Sequence, residues 1–251
     1  MHICIIEADR PADFLIPRFG TYADMFERWL TPVLPEASFS RAWFRDGAPL
    51  PAPETVDAVL ITGSRCGVYD GHAWIDVLRD QVTGYVTAGK PVGGVCFGHQ
   101  IMAQAFGGRV EKSDRGWGVG RHVHRLTPTG QRLFGQAAGI AALSFHQDQI
   151  VRLPTGAEVL LETDHSPYGG VHYAGRRAIS VQFHPEFEPG YVRALLETGV
   201  GPGADHPLTA EALESLAGAL DGAAVAAAFA AIFRQGSELP QSSGKIEDSV
   251  F

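Results

Sequence analysis

Cysteine is scarce: three residues, Cys4, Cys66 and Cys96, in a chain of 251. An odd number scattered in this way builds no disulfide framework and lacks the spacing of a zinc motif. A reducing compartment is the expectation. Positive charge is also short, with 20 Lys and Arg against 28 Asp and Glu and a formal net charge of −8. Such a surface repels phosphate, which argues against a nucleic-acid partner and against attraction to anionic membranes. No stretch approaches the roughly 18 uninterrupted apolar residues of a membrane span. The opening Met1-His2-Ile3-Cys4-Ile5-Ile6-Glu7 has no basic n-region. A soluble, cytoplasmic protein is therefore expected.

What is present is a periodic α/β pattern. Residues 3–6 are a short apolar run of the kind buried in parallel sheets. Tyr22, Met25, Phe26, Trp29 and Leu30 then recur at helical spacing before Pro32. Strands are expected at 37–44, 58–62 and 91–95, with a helix carrying Trp74, Leu78, Val82, Tyr85 and Val86 between the last two. Strand alternating with helix is the signature of a doubly wound sheet. From 110 to 126 the chain turns Gly-rich and alternating, as in Val119, Arg121, Val123 and Arg125, so antiparallel strands extend the parallel core. Further strands are expected at 157–161 and around a tight turn at Ala174-Gly175-Arg176 that leads into 178–183. Beyond Pro189 the chain reads as helical through Leu196 and again over the Ala-rich stretch 209–233. The fold class expected is a single α/β domain with a mixed, mostly parallel central sheet flanked by helices.

One segment carries chemistry. The strand ending at Val95 runs into Gly94-Val95-Cys96-Phe97-Gly98 and directly into a helical stretch. This G-x-C-x-G has the form of a nucleophile elbow, in which small flanking residues allow a strained turn to lift one side chain above the sheet edge. Cys96 then stands at a helix N-terminus, where the dipole and free N–H groups favour thiolate, and the Phe97 N–H is placed to bind an oxyanion. Taken alone, Cys96 can equally be a small buried hydrophobe. A second segment, Val181-Gln182-Phe183-His184-Pro185-Glu186, ends a strand at Pro185 and sets His184 and Glu186 two residues apart, so both can leave on one side. A base and its orienting carboxylate would arrive together. In isolation His184 also reads as a strand-end histidine and Glu186 as a solvated carboxylate. The third segment, Ile61-Thr62-Gly63-Ser64-Arg65, leaves a strand where elbow enzymes keep their second oxyanion donor. The Ser64 N–H is the candidate, with Gly63 giving the backbone room; an ordinary strand-to-helix turn is the alternative.

These segments resemble the class I glutamine amidotransferases over about residues 3–193. The matching strings are Gly93-Gly94-Val95-Cys96-Phe97-Gly98-His99-Gln100, Ser144-Phe145-His146-Gln147-Asp148-Gln149-Ile150 and Val181-Gln182-Phe183-His184-Pro185-Glu186. The resemblance implies a glutaminase-type domain at 1–200, a helical C-terminal extension at 201–240 and a loose tail at 241–251. It gives Cys96, His184 and Glu186 the roles of a catalytic triad, Ser64 and Phe97 those of oxyanion donors, and Gln100 a contact to bound glutamine. The backbone around Phe145, His146 and Gln147 would hold the amino-acid end of the substrate, with His146 and Asp148 bracing that loop. Members that act in synthetases usually carry Gly-Gly-Pro where this chain has Gly63-Ser64-Arg65. The match is closest to stand-alone members, including γ-glutamyl peptidases and GMP-synthase-like proteins. Arg65, Cys66 and the loop 68–72 would then shape specificity.

The chemistry implied is cysteine-dependent hydrolysis or transfer of a γ-glutamyl group, from glutamine or a γ-glutamyl amide, through a thioester; it calls for no metal and no cofactor. Residues 188–251 carry no Gly-rich phosphate loop, so a synthetase served by this chain would be a separate partner subunit receiving ammonia. A non-catalytic binding module that kept the fold is the alternative from another class. A metal-dependent hydrolase fails because His122-Val123-His124 has no suitable carboxylate nearby. A dinucleotide binder fails because Gly116-Trp117-Gly118-Val119-Gly120 neither follows the first strand nor opens a helix.

Overall fold

The run at residues 3–6 is a strand buried on both faces. A computed structural model of the chain describes residues 1–46, 49–135 and 137–234. In β1 (His2–Glu7), Ile3 and Ile5 point into one apolar cluster while Cys4 and Ile6 point into another. That alternation is the two-residue period of a strand, and both faces are apolar because helices cover both.

The chain continues through α1 (Ile16–Phe19), α2 (Tyr22–Leu30), β2 (Ser38–Trp43), β3 (Ala58–Ile61), α3 (Ala73–Thr87), β4 (Val92–Val95) and α4 (Phe97–Ala105). A capping box starts α2: Thr21 Oγ1 accepts from the Asp24 N–H and Asp24 Oδ2 accepts from the Thr21 N–H. Then come β5 (Arg109–Lys112), β6 (Gly118–Leu126), α5 (Pro128–Phe134), β7 (Ile140–His146), β8 (Asp148–Arg152), β9 (Ala157–Glu162), β10 (Gly170–Tyr173), β11 (Ala178–Val181), α6 (Pro189–Glu197), α7 (Pro207–Ser215) and α8 (Gly222–Arg234).

This is a single α/β domain with helices on both sides of one central sheet. The nine-stranded order is β2-β1-β3-β4-β11-β10-β9-β6-β7. Pairing is parallel from β2 through β11 and antiparallel from there to β7. A separate antiparallel pair joins β5 to β8. On one face Phe26, Leu30, Phe229 and Phe233 of α2 and α8 are buried, and on the other Leu78, Val82, Ile101 and Met102 of α3 and α4. Each such side chain contributes about 1.5–3 kcal/mol of hydrophobic stabilisation.

Several regions differ from the sequence reading: α1 and α5 fall where no helix was expected, and β5, expected to extend the core, pairs with β8 outside the central sheet. Residues 140–152 form β7 and β8, which the pattern had marked only as a motif. The Ala-rich stretch is two helices, not one, because the chain between them is used to cap the outer strand. The Asp221 N–H donates to the Ala141 carbonyl and the Ala141 N–H donates to Asp221 Oδ2, each at 2.8 Å. α7 packs on β6, and α8 belongs to the same apolar cluster as α2 and α5. The tail expected at 241–251 lies outside the described residues. No described helix is long and apolar enough to cross a membrane.

Candidate active site

The turn between β4 and α4 is held by glycine at two close approaches. A Cβ on Gly94 would lie 2.5 Å from the Gly98 carbonyl oxygen, and one on Gly98 would lie 2.3 Å from that of Ile61. Only glycine lets the helix start pressed against the ends of β3 and β4. The turn leaves Cys96 at φ 53°, ψ −103°, the one non-glycine residue with positive φ among the described residues. Such a conformation costs about 1–3 kcal/mol and persists only where the surroundings enforce it. Here the Cys96 N–H donates to the Val181 carbonyl and the Gly98 N–H to that of Thr62.

His184 follows β11, the neighbour of β4. Its backbone N–H donates to the Leu143 carbonyl at 2.7 Å, an isolated bridge that ties the end of β11 to β7. The ring Nδ1 meets Glu186 Oε1 at 2.7 Å, with both side chains buried. That leaves Nε2 on the side of Cys96: a Cβ on Gly63 would lie 3.9 Å from His184 Nε2 and 3.7 Å from Cys96 Cβ. Burial pulls the imidazole pKa down, but the Glu186 carboxylate and then Cys96 outweigh it and push it up to about 10. The positive form of the ring is thus favoured at neutral pH. Phe187 lies flat on the His184 ring, centroids 3.9 Å apart and planes within 3°.

The loop after β3 closes the other side. A Cβ on Gly63 would stand 3.0 Å from His184 Cε1 and 3.7 Å from Cys96 Cβ. Further along, the Arg65 N–H donates to Asp9, the Cys66 N–H to Ser64 Oγ and the Gly67 N–H to Asp70 Oδ2. The N–H groups of Gly63, Ser64 and Phe97 have no acceptor among the described residues. The Arg65 guanidinium also grips the buried Asp9 through Nε at 2.9 Å and Nη2 at 3.1 Å. Burial raises the Asp9 carboxyl, yet these bonds hold it below its ordinary value.

Opposite stand Gln100 and the end of β7. Gln100 Nε2 donates to the Asp148 carbonyl and to Gln182 Oε1. His99, one residue earlier, bonds Ser180 Oγ at 2.7 Å; its complete burial drives its pKa to about 3, so it is neutral and fastens α4 to β11. Phe145, His146 and Gln147 line the same pocket as Cys96, His184, Gly63, Ser64 and Gln100, a cavity of about 380 Å³. His146 Nε2 approaches Ser166 Oγ at 3.4 Å, and burial lowers the pKa of this imidazole well below its ordinary value. All the residues singled out in the sequence therefore gather at one place, Phe97 through its backbone N–H. Phe187 was missed, although its position directly after His184-Pro185-Glu186 was a usable signal. Cys66, Asp70 and His72, expected from the sequence only to shape specificity, bring their donor atoms within 4.8 Å of one another, and Cys66 and Asp70 line the pocket.

Comparison with known proteins gives the same class. Residues 43–198 match the family Glutamine amidotransferase class-I. A glutamine amidotransferase-like protein of Schizosaccharomyces pombe is 30% identical over 212 residues, covering 78% of this chain and 83% of that one. A glutamine-hydrolyzing GMP synthase of Desulfotalea psychrophila is 32% identical over 134 residues, 51% of this chain but only 24% of the synthase. A solved glutamine amidotransferase of Thermotoga maritima superposes with a TM-score of 0.69 at 16% identity, covering 93% of this chain and 98% of that one. The chain belongs to the class I glutamine amidotransferase family.

Proposed function

We propose that the protein hydrolyses or transfers the γ-glutamyl group of glutamine or a γ-glutamyl amide through a thioester on Cys96. The supporting observation is the alignment of a strained Cys96 at a helix start, the His184 ring beside it across Gly63, and Glu186 2.7 Å behind that ring.

In this reading the resting proton is on His184, and Cys96 Sγ attacks the γ-carbonyl carbon as thiolate. The N–H groups of Ser64 and Phe97 stabilise the oxygen as it becomes negative, a contribution of several kcal/mol to the barrier in comparable sites. The C–N bond then breaks as His184 gives its proton to the departing ammonia or amine, leaving a γ-glutamyl thioester. Water adds next, losing its proton to His184; the C–S bond breaks and glutamate leaves with the thiolate restored. An amine in place of water gives transfer. Glu186 fixes the ring tautomer and balances its charge. Gln100 and the backbone at Phe145, His146 and Gln147 hold the amino-acid end of the substrate. No step uses a metal or cofactor. The location we propose is the cytoplasm.

A second reading is a glutaminase subunit that passes ammonia to a separate synthetase. It is favoured by the match to GMP synthases over a fraction of their length. It is also favoured by the fold shared with a solved protein of Thermoplasma acidophilum described as one subunit of a GMP synthase, at a TM-score of 0.56 and 18% identity. The experiment is a panel of glutamine, glutathione and other γ-glutamyl compounds, with ammonia and free amine measured separately for the native chain and Cys96→Ala. Turnover abolished by Cys96→Ala is expected. Undiminished turnover by that variant refutes the thioester, and glutamine hydrolysis only with an added synthetase favours the second reading. No turnover of any compound favours a binding module.

A further inference from the structure

The loop that follows Ser64 brings three kinds of metal donor together. Cys66 Sγ, an Asp70 carboxylate oxygen and a His72 ring nitrogen lie within 4.8 Å of one another, and no other group of three His, Cys, Asp or Glu does so among the described residues. The imidazoles of His122, His124, His146 and His165 also neighbour one another, with centroids 5.7 to 6.5 Å apart in successive pairs, but their nitrogens do not converge. Proximity of donors, not abundance of histidine, distinguishes the loop.

Bonds of about 2.0–2.3 Å in tetrahedral zinc set neighbouring donors about 3.3–3.6 Å apart. Closing the group asks each side chain to move by about 1 Å on that geometry. Asp70 and His72 are exposed and Cys66 is half-buried, so rotamer changes suffice. The Gly67 N–H holds Asp70 Oδ2 at 2.8 Å, which turns the carboxylate back over the loop. One thiolate, one imidazole and one carboxylate suit zinc or cobalt, whereas magnesium and calcium select oxygen donors.

We propose that Cys66, Asp70 and His72 bind a zinc-class divalent ion at the mouth of the pocket, with a fourth position left to water, and that its occupancy slows turnover at Cys96. Cys66 and Asp70 line the same cavity as Cys96. Asp70 Oδ1, Tyr69 Cζ and Asp148 Oδ2 each stand 3.0 Å from the position a Cβ on Gly67 would take, and the Asp148 carbonyl in turn holds Gln100. An ion on this loop places positive charge at the entrance and draws together the segment that braces the opposite wall. The ion is a regulator, not a participant in the acyl chemistry. Only the effect on turnover rests on the proposed function; the binding does not.

The full-length Cys96→Ala chain, which removes the competing thiol, is titrated with Zn²⁺ by calorimetry and with Co²⁺ by absorption. One ion per chain and a thiolate-to-cobalt charge-transfer band are expected. Adding Cys66→Ser abolishes that band, while adding His72→Ala keeps it and weakens affinity by about tenfold or more; circular dichroism checks that each variant is folded. Absence of the band in Cys96→Ala, or its survival of Cys66→Ser, overturns the site. For turnover, the native chain and His72→Ala are each compared with their own metal-free rate in buffered zinc. The native rate falls and recovers with chelator, and His72→Ala requires about tenfold more zinc; equal sensitivity overturns the regulatory role. A chain that gives the band but turns over no substrate supports the site and overturns the proposed function instead.

Discussion

Gly98 and Ile61 are in backbone contact: a methyl group on Gly98 would fall 2.3 Å from the Ile61 carbonyl oxygen. The start of α4 is therefore seated on the end of β3, and the loop carrying Gly63 and Ser64 begins beside the turn that presents Cys96. Gly98→Ala cannot be absorbed by a side-chain rotation, because the atom it meets is backbone. We expect destabilisation of about 2–3 kcal/mol, together with loss of activity larger than the unfolded fraction explains. Urea unfolding beside a rate measurement on the folded fraction checks this; native stability in the variant would contradict the close approach.

Glu186→Gln tests the charge on His184. Burial alone lowers the ring pKa, and the Glu186 carboxylate is the largest of the influences that push it up to about 10. The protonated ring then persists through neutral pH and is lost as pH rises toward that value. With a neutral amide at 186 the loss shifts to lower pH, and kcat/KM near neutrality falls by about 10²–10⁴-fold. A pH–rate profile of native and variant chains reads both effects. An unmoved alkaline limb would show that Glu186 does not set the ionisation.

Thiol reactivity separates Cys96 from Cys4. Cys4 is buried in β1, and burial raises its pKa despite the hydroxyl of Ser40 beside it. Cys96 instead lines the pocket, at the N-terminus of α4. In a Cys66→Ser background, iodoacetamide at neutral pH is expected to alkylate Cys96 well before Cys4, read by peptide mass analysis. Equal rates in the folded protein would count against an activated thiol.

Phe229 of α8 is fully buried, 5.2 Å from the Trp29 ring and close enough to Gly93 that a Cβ there would lie 3.0 Å from Phe229 Cε1. Phe229→Ala should cost about 3–5 kcal/mol, measured by denaturant titration. A loss of under about 1 kcal/mol, far below the usual range for such a truncation, would mean that the C-terminal helix stands apart from the core.

The parallel half of the sheet was legible because its strands are short apolar runs and its helices repeat at 3.6 residues, as at Tyr22, Met25, Phe26, Trp29 and Leu30. Cys96 was legible for a different reason: a strained turn needs glycine at Gly94 and Gly98, and that requirement is written in the spacing. β7 was less so. Ile140-Ala141-Ala142-Leu143-Ser144-Phe145 is nearly all apolar, so it shows no alternation, being covered on both faces. The break between α7 and α8 depends on a pair of hydrogen bonds between Asp221 and Ala141, one of them to the Asp221 carboxylate, across 80 residues of sequence, which composition does not reveal. Cys66, Asp70 and His72 have no familiar metal spacing and are brought together by the turn of their loop.

The bridge between Leu143 and His184 joins two halves of the molecule with different duties. Cys96 and His184 emerge from the adjacent parallel strands β4 and β11, whereas Phe145, His146 and Gln147 lie at the end of β7 in the antiparallel half, which joins the parallel half through the β10–β11 pairing and touches His184 again through the isolated bridge to Leu143. Under the proposed function, reaction and selection are thus carried by separate pieces of the sheet. On that reading the wall can be recast for a new substrate while sulfur and imidazole stay in place, a division that lets one scaffold diversify without rebuilding its engine.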